Sequence, residues 1–527
     1  MSLHPVLIDG QWRTSSSTSG FQAMNPQTRQ WLPDQFPISD WDEIESAVSA
    51  AYKAFDIVRN WPGARFAEFL EAYALEIEQR IDTIVATANS ETALPVEPRL
   101  KGGEMVRTLN QIRQGAAAAR DGSWKQPVID TATGIRSMLG PIGPVVVFGP
   151  NNFPLAFNSI AGGDFVAAIA AGNPVIAKGH SSHPHTTMLF AQAAHVAATA
   201  TNLPPGFIQL IYRTSHSDGA RLVSHPHVGA TGYTGSRKAG LALKEASDRV
   251  GKPIYVELSS INPVFFLPGA LEERASALVD EFVGSCLMGV GQFCTNPGLV
   301  VLPRGEATES FISAVGEKFA AAPVGTLLGD GVATGLKQAI TKLQEAGAVL
   351  VTGDSAADPN RCCAPNTLLR TTGADFLNRP DAFQEEAFGN CSMIVVADDV
   401  REMRLIAESL EGNLTGSIYS ATSGADDASY DLIAPALRQR VGRLLNDKMP
   451  TGVAVSPAMN HGGPFPATGH PGFTAVGIPA SLRRFAMLQC YDNVREHRLP
   501  AELQNTNPTG TLWRTISGQP TQSDVPA

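Results

Sequence analysis

"PVVVFGPNNFPLAFNSIAGGDFVAAIAAGNPVIAKG" (residues 144–179) carries two short apolar runs, at 144–149 and 174–178, on either side of an Ala-rich stretch. Val and Ile suit a buried strand and Ala suits a helix, so the stretch reads as strand, helix, strand. The pattern continues outward. "FIQLIY" (207–212), "HVGATGY" (227–233) and "PIYVEL" (253–258) are further strands, with helical stretches such as "TTMLFAQAAHVAATATN" between them. Strands alternating with helices at this spacing predict a parallel, doubly wound α/β sheet, with ligands beyond the carboxyl ends of its strands. Upstream, "SDWDEIESAVSAAYKAFDIV" (39–58) predicts an amphipathic helix. Asp40 caps it with Glu43 three residues on, and Ile44, Val48, Ala51 and Phe55 share one face. More helix is expected to about residue 120. Downstream, "NPVFFLP" (262–268) and "GLVVLP" (298–303) open a second α/β series that runs to about residue 450. "QPVIDTATGIRSMLGP" (126–141) alternates like a hairpin. The tail from Gln504, rich in Thr, Asn, Pro, Gly and Ser, is expected to be disordered or ordered only against another subunit.

A chain of 527 residues is long enough for two or three domains. Its net charge of −10 argues against nucleic-acid binding, which needs clustered Lys and Arg. The six cysteines (Cys286, Cys294, Cys362, Cys363, Cys391, Cys490) are scattered, with no C-x-x-C pair, which predicts neither a disulfide scaffold nor a zinc site. The N-terminus lacks the features of a secretory signal, and no apolar run of about 18 residues occurs. A cytoplasmic enzyme acting on a small molecule, away from membranes, is the expectation.

Each strand end carries a candidate motif with an ordinary alternative. "GPNNFPLAF" is a turn, or it places an amide donor from Asn152 toward a developing oxyanion. "AKGHSSHPHTT" puts Lys178 beside a glycine, where it could meet ribose hydroxyls or a phosphate. His180, His183 and His185 are spaced through a proline on no common face, and no metal is expected there. "TGYTGSRKAG" lacks the dinucleotide fingerprint but feeds a glycine turn into a helix start at Ser236. Glu257 closes an apolar strand; it is a solvated strand end or, if buried, a general base. "FQEEAFGN" pairs Glu385 and Glu386 at a turn. "GVGQFCTNPG" (289–298) sets Cys294 among glycines and amides, as an inert packed thiol or a nucleophile.

In this order the segments resemble the aldehyde dehydrogenase superfamily, from "NPQTRQ" near residue 25 to "PFPATGHPG" near 472. "VELSSINPVFFLP" and "GQFCTNPGL" are most similar to the 2-ketoglutaric semialdehyde (2,5-dioxopentanoate) dehydrogenases, with NADP-dependent fatty aldehyde dehydrogenases as cousins. The resemblance implies an aldehyde dehydrogenase-like fold of two doubly wound α/β domains plus a β oligomerisation extension. The cofactor-binding domain would comprise 1–125, 142–258 and 453–485, and the catalytic domain 259–452. The extension and tail would be 126–141 and 486–527, in a homodimer or homotetramer.

By the same resemblance, Cys294 attacks the aldehyde, and the Asn152 amide and the Cys294 N–H hold the oxyanion. A hydride then passes to the nicotinamide, and Glu257 activates the water that frees the acid. Lys178 and Glu386 would hold the two riboses, Gly235, Ser236 and Gly240 the pyrophosphate, and Phe388 the nicotinamide. NAD-preferring members commonly carry a glutamate three residues after the lysine. Ser181 stands there instead, and Arg213 could meet a 2′-phosphate, so NADP is expected with NAD tolerated. Phe153, Phe157, Met288 and Phe293 would line the tunnel, with Arg107 and Arg113 as candidate receptors for a distal carboxylate. "ELSS" for the commoner "ELGG", with Phe293 and Thr295 around the cysteine, makes substrate inference from the wider family unsafe. A medium or long aliphatic aldehyde is the alternative substrate. A cysteine hydrolase pairing Cys294 with His461 is the alternative from another class.

Overall fold

A computed structural model describes residues 3–526. The strand ending in "VVVF" lies inside a seven-stranded sheet. Its order is Ile254–Glu257, Ala230–Thr234, Val145–Phe148, Val175–Lys178, Ile208–Ile211, Val6–Ile8, Gln11–Arg13. The first five strands are parallel, and Val6–Ile8 pairs antiparallel with both its neighbours, Ile208–Ile211 and Gln11–Arg13. After the edge pair Val6–Ile8 and Gln11–Arg13, the parallel part begins at the centre with Val145–Phe148 and winds first to one side and then to the other. The order therefore reverses between Val145–Phe148 and Ala230–Thr234, which places a ligand crevice at their carboxyl ends. Every residue of Val145–Phe148 is buried, as a strand covered by helices on both faces requires. The helix Trp41–Val58 begins where expected. Asp40 accepts from the Glu43 N–H, and Ile44, Val48 and Ala51 are buried while Phe55 is only partly so.

A second seven-stranded sheet runs in the order Val349–Thr352, Thr367–Thr372, Cys391–Ala397, Leu299–Pro303, Val264–Phe266, Asn413–Tyr419, Val441–Asn446. Only Val349–Thr352 is antiparallel. Both faces are covered by apolar clusters, one around Phe265 and Val301, the other around Phe266 and Phe282. The expected hairpin at 126–141 forms from Val128–Ile129 and Ile135–Pro141.

The tail departs from expectation. Rather than being disordered or waiting for another subunit, it is ordered against its own chain. Ala486–Asp492 pairs with Ile135–Pro141, and Arg514–Ile516 pairs in parallel with Val128–Ile129, giving a five-stranded sheet edged by Gln519–Thr521. Its low apolar content is offset by one cation. The buried Arg514 donates to the carbonyls of Gln504 (2.6 Å), Asn505 (3.1 Å) and Ser523 (2.7 Å). Composition counts apolar residues and does not register an arginine that satisfies turn carbonyls. Arg514→Ala leaves three carbonyls unpaired. It is expected to raise amide exchange across 514–521 and 128–129 by roughly 10–100-fold, measured by native-state hydrogen exchange.

Candidate active site

Cys294 lies between the helix Pro268–Leu287 and the strand Leu299–Pro303. Three consecutive residues, Gly289, Val290 and Gly291, hold φ values of +56°, +61° and +67°. Glycine is required at the last of them, because a Cβ on Gly291 would stand 2.0 Å from the Gly389 carbonyl oxygen. Val290 adopts this region against the preference of a β-branched residue, a strain typical of functional loops. The fully buried Asn262 holds the loop from the neighbouring strand. Its amide donates to the carbonyls of Cys294 and Asn296, both at 2.9 Å, and its Oδ1 accepts from the Thr415 hydroxyl at 2.9 Å. The sequence reading quoted this asparagine without giving it a role.

The thiol does not face Glu257 directly. His461 Nε2 lies 3.3 Å from Cys294 Sγ and 2.9 Å from Glu257 Oε1. His461 and Glu257 are 2% and 4% exposed. Burial by itself would depress the imidazole pKa, but the adjacent Glu257 and Cys294 outweigh it and raise it to about 10. The three donors lie within 4.8 Å of one another, a spacing that could also hold a metal ion, but here the imidazole bonds the carboxylate itself. Both contacts use the same ring nitrogen. In a hydrolase triad the acid orients one nitrogen and the nucleophile uses the other, so this arrangement does not reproduce one.

A cavity of about 400 Å³ opens on Cys294 and His461. Phe153, Phe157, Phe293 and Arg107 line it, as expected, together with Arg99 and Val453. Met288 and Arg113 do not. Met288 precedes the left-handed turn and is 51% exposed. Arg113, six residues after Arg107 and so on the other side of the helix Val106–Asp121, pairs with Glu78. Sequence reading missed Arg99, whose segment Val96–Met105 shows no regular periodicity to find it by. Arg107 donates from Nε to Gln111 Oε1 at 3.3 Å, but its Nη2 is buried without a partner. Among the described residues it makes no ion pair, and its guanidinium lies over the ring of Phe157, 4.9 Å from the centroid. Asn152 is buried and donates from Nδ2 to the Gln292 carbonyl at 3.0 Å, leaving one amide hydrogen uncommitted.

Beyond the strand ends lies a second group of candidates. Lys178 is partly buried; burial and then the exposed Arg213 lower its ammonium pKa to about 8. Ser181 follows in the same loop, and Ser236 caps the helix Arg237–Asp248. A Cβ on Gly235 would stand 2.7 Å from the Tyr233 hydroxyl, and one on Gly240 2.3 Å from a Leu258 methyl. Burial raises the Glu386 carboxyl to about 7 against hydrogen bonds from Ser259 and Ser260, and Phe388 shares its crevice. A glycine cradle at a helix start, a free ammonium and a carboxylate fit a dinucleotide with its phosphates and vicinal hydroxyls. His180 and His183 stack at 5.1 Å, and His183 Nε2 lies 3.0 Å from the Pro150 carbonyl oxygen.

A model of the aldehyde dehydrogenase family matches residues 12–434. The chain belongs to the aldehyde dehydrogenase family. The dehydrogenase is 39% identical to alpha-ketoglutaric semialdehyde dehydrogenase 2 of Azospirillum brasilense over 96% of its length and 98% of that protein's. It is 35% identical to alpha-ketoglutaric semialdehyde dehydrogenase of Acinetobacter baylyi, over 98% of both chains. Its fold matches an aldehyde dehydrogenase of Pseudomonas syringae solved with NAD+ and octanal. The TM-score is 0.78 at 19% identity, covering 93% of this chain and 97% of that one. The dehydrogenase is an NAD(P)-dependent oxidoreductase acting on small aldehydes, which sets the hydrolase alternative aside. Among the described residues no helix is long and apolar enough to cross a membrane.

His461→Gln is expected to slow alkylation of Cys294 by iodoacetamide about tenfold or more at neutral pH, because the cation beside the thiolate is lost. The folded state holds the His461 proton up to about pH 10, against an ordinary value of 6.5. Its contribution to stability is complete below 6.5 and is lost as pH rises to about 10. The melting-temperature difference between wild type and His461→Gln should shrink across that window.

Proposed function

We propose that the enzyme oxidises 2,5-dioxopentanoate to 2-oxoglutarate with NADP+ preferred over NAD+. The observation that carries the substrate is Arg107, a cation with no acidic partner among the described residues, in the wall of the cavity that holds the nucleophile. A buried unpaired guanidinium invites a carboxylate on the substrate's far end. The printed activity of both named relatives supports this reading. The three phenylalanines would pack the intervening carbons.

The residues divide the work as follows. Cys294 Sγ, beside the protonated His461 Nε2, bonds to the aldehyde carbon as the thiolate. The Cys294 N–H and the uncommitted amide hydrogen of Asn152 stabilise the oxyanion. NADP+, when bound, supplies the hydride acceptor. Water then attacks the thioester on Cys294. His461 stands between Glu257 and the cavity, so Nε2 yields its proton to Glu257 Oε1 as it takes the one the water loses. Aldehyde, water and NADP+ give carboxylate, NADPH and two protons. Lys178, Gly235, Ser236, Gly240, Glu386 and Phe388 form the nucleotide site, within a cofactor-binding unit of 1–125, 142–258 and 453–485. The catalytic unit is 259–452. Ser181 and Arg213 favour the 2′-phosphate. The exposed Met487 and Leu488, on the edge strand Ala486–Asp492, support assembly into a homodimer or homotetramer through the extension, 126–141 and 486–527. Six free cysteines fit a reducing, cytoplasmic setting.

Arg107→Ala should raise KM for 2,5-dioxopentanoate roughly 10–100-fold while leaving hexanal turnover close to wild type. Equal losses with both aldehydes, or wild-type efficiency that favours decanal, would overturn the substrate. Arg213→Ala should cut kcat/KM with NADP+ by about tenfold or more and spare NAD+; initial rates of reduced-nucleotide formation report both.

A further inference from the structure

Two arginines line the cavity, and their surroundings differ. Arg107 has no acidic partner among the described residues, whereas Arg99 has an acid, a carbonyl and two rings about it, although its Nε is buried without a hydrogen-bond partner. Its Nη2 lies 3.1 Å from Glu104 Oε1 and donates to the Asn152 carbonyl at 2.8 Å. Its guanidinium carbon sits 4.3 Å from the centroid of the Phe153 ring and 4.6 Å from that of Phe293. Those two rings stand 5.4 Å apart at 89°.

The chain positions of these contacts give them meaning. Phe153 follows Asn152 at the end of a strand of the first sheet. Phe293 precedes Cys294 in a loop of the second. One planar cation therefore lies between the immediate neighbours of the two groups assigned to the oxyanion. Arg99 also grips the Asn152 backbone, while the Asn152 side chain reaches across to Gln292. Glu104, 1% exposed, holds the same loop from beneath, accepting from the N–H groups of Leu155 (3.0 Å) and Ala156 (3.2 Å). Burial raises its carboxyl pKa, and Arg99 is the first of the groups that pull it back. A guanidinium set against a buried carboxylate, a carbonyl and two ring faces is held in place by the protein itself. A lysine could keep the charge but not the flat stacking surface.

We propose that Arg99, anchored by Glu104, is a positioning residue that rivets Asn152 to the Phe293–Cys294 peptide and so fixes the spacing of amide and thiol. It acts on every aldehyde the enzyme oxidises, because it sets the reacting geometry rather than reading the substrate's tail. Its contrast with Arg107 rests on the substrate proposed above; its effect on a neutral aldehyde does not.

The test assays Arg99→Ala, Arg99→Lys and Glu104→Gln with hexanal and with 2,5-dioxopentanoate at saturating NADP+. In Arg99→Ala, kcat should fall roughly 10–100-fold with both aldehydes, since a small displacement of reacting groups costs that much, while KM changes less than about threefold. Millimolar guanidinium ion should restore part of the lost kcat. Arg99→Lys and Glu104→Gln should lie between Arg99→Ala and wild type. A loss confined to 2,5-dioxopentanoate and expressed in KM would overturn the proposal, making Arg99 an anion receptor. Unchanged kcat with both aldehydes would also overturn it. If Arg99→Ala proves unfolded by circular dichroism, Arg99→Lys with hexanal decides, wild-type kcat there counting against the role. An Arg107→Ala enzyme that loses hexanal turnover would damage the substrate assignment alone.

Discussion

Nε2 of His461 is shared between the Glu257 carboxylate and the Cys294 thiol, and only one proton can occupy it. Glu257 ends a strand of one sheet, Cys294 sits in a loop of the other, and His461 comes from a third segment near the C-terminus. A hydrogen bond tolerates a few tenths of an ångström. The whole architecture has to bring three separate segments to one point within that margin. It also has to keep them dry, since the raised imidazole pKa depends on Glu257 and Cys294 acting through protein rather than water.

Neutral amides do much of this alignment. Asn262 holds the peptides at Cys294 and Asn296. Asn413 Oδ1 accepts from the N–H groups of Ile261 and Asn262, at 2.8 and 3.2 Å. Asn173 ties the N–H groups of Ile142 and Gly143 to the carbonyl of Phe485. All three are buried. An amide both donates and accepts, so one side chain can replace a missing ladder bond on each side without adding charge. These three seams are thereby closed without charge, which the site carries at Glu257 and His461 and along the arginine-bearing wall.

Legibility in the sequence followed the physical range of each signal. The two sheets were readable because β-branched runs and Ala-rich helices are local patterns, and every strand from Val145 to Glu257 lies where its composition places it. Gly291 and Cys294 were readable as a motif. Arg99 and Glu104 were not, since they lie in an irregular helical segment and take their meaning from the Phe153 ring and from the Phe293 ring almost 200 residues away in the chain. Arg113 misled because its type was right and its helix face wrong. His461 was noticed only as a possible hydrolase partner; nothing local to "MNHGGPF" says that both its neighbours would share one nitrogen. The tail misled for a related reason, its order depending on one buried arginine and a strand far upstream.

The pairing of Arg514–Ile516 with Val128–Ile129 joins a strand made late to one made nearly 390 residues earlier. While the chain grows on the ribosome, that edge and the apolar cluster around Ile129 and Met138 have no final partner. The three-dimensional neighbourhood of residue 128 can close only once residues 514–516 have emerged. The interval, set by translation of nearly 390 residues, is a period in which an unpaired strand edge invites pairing with another nascent chain. For this enzyme, yield in the cell should depend on synthesis rate and chaperone supply more than on the stability of the finished fold.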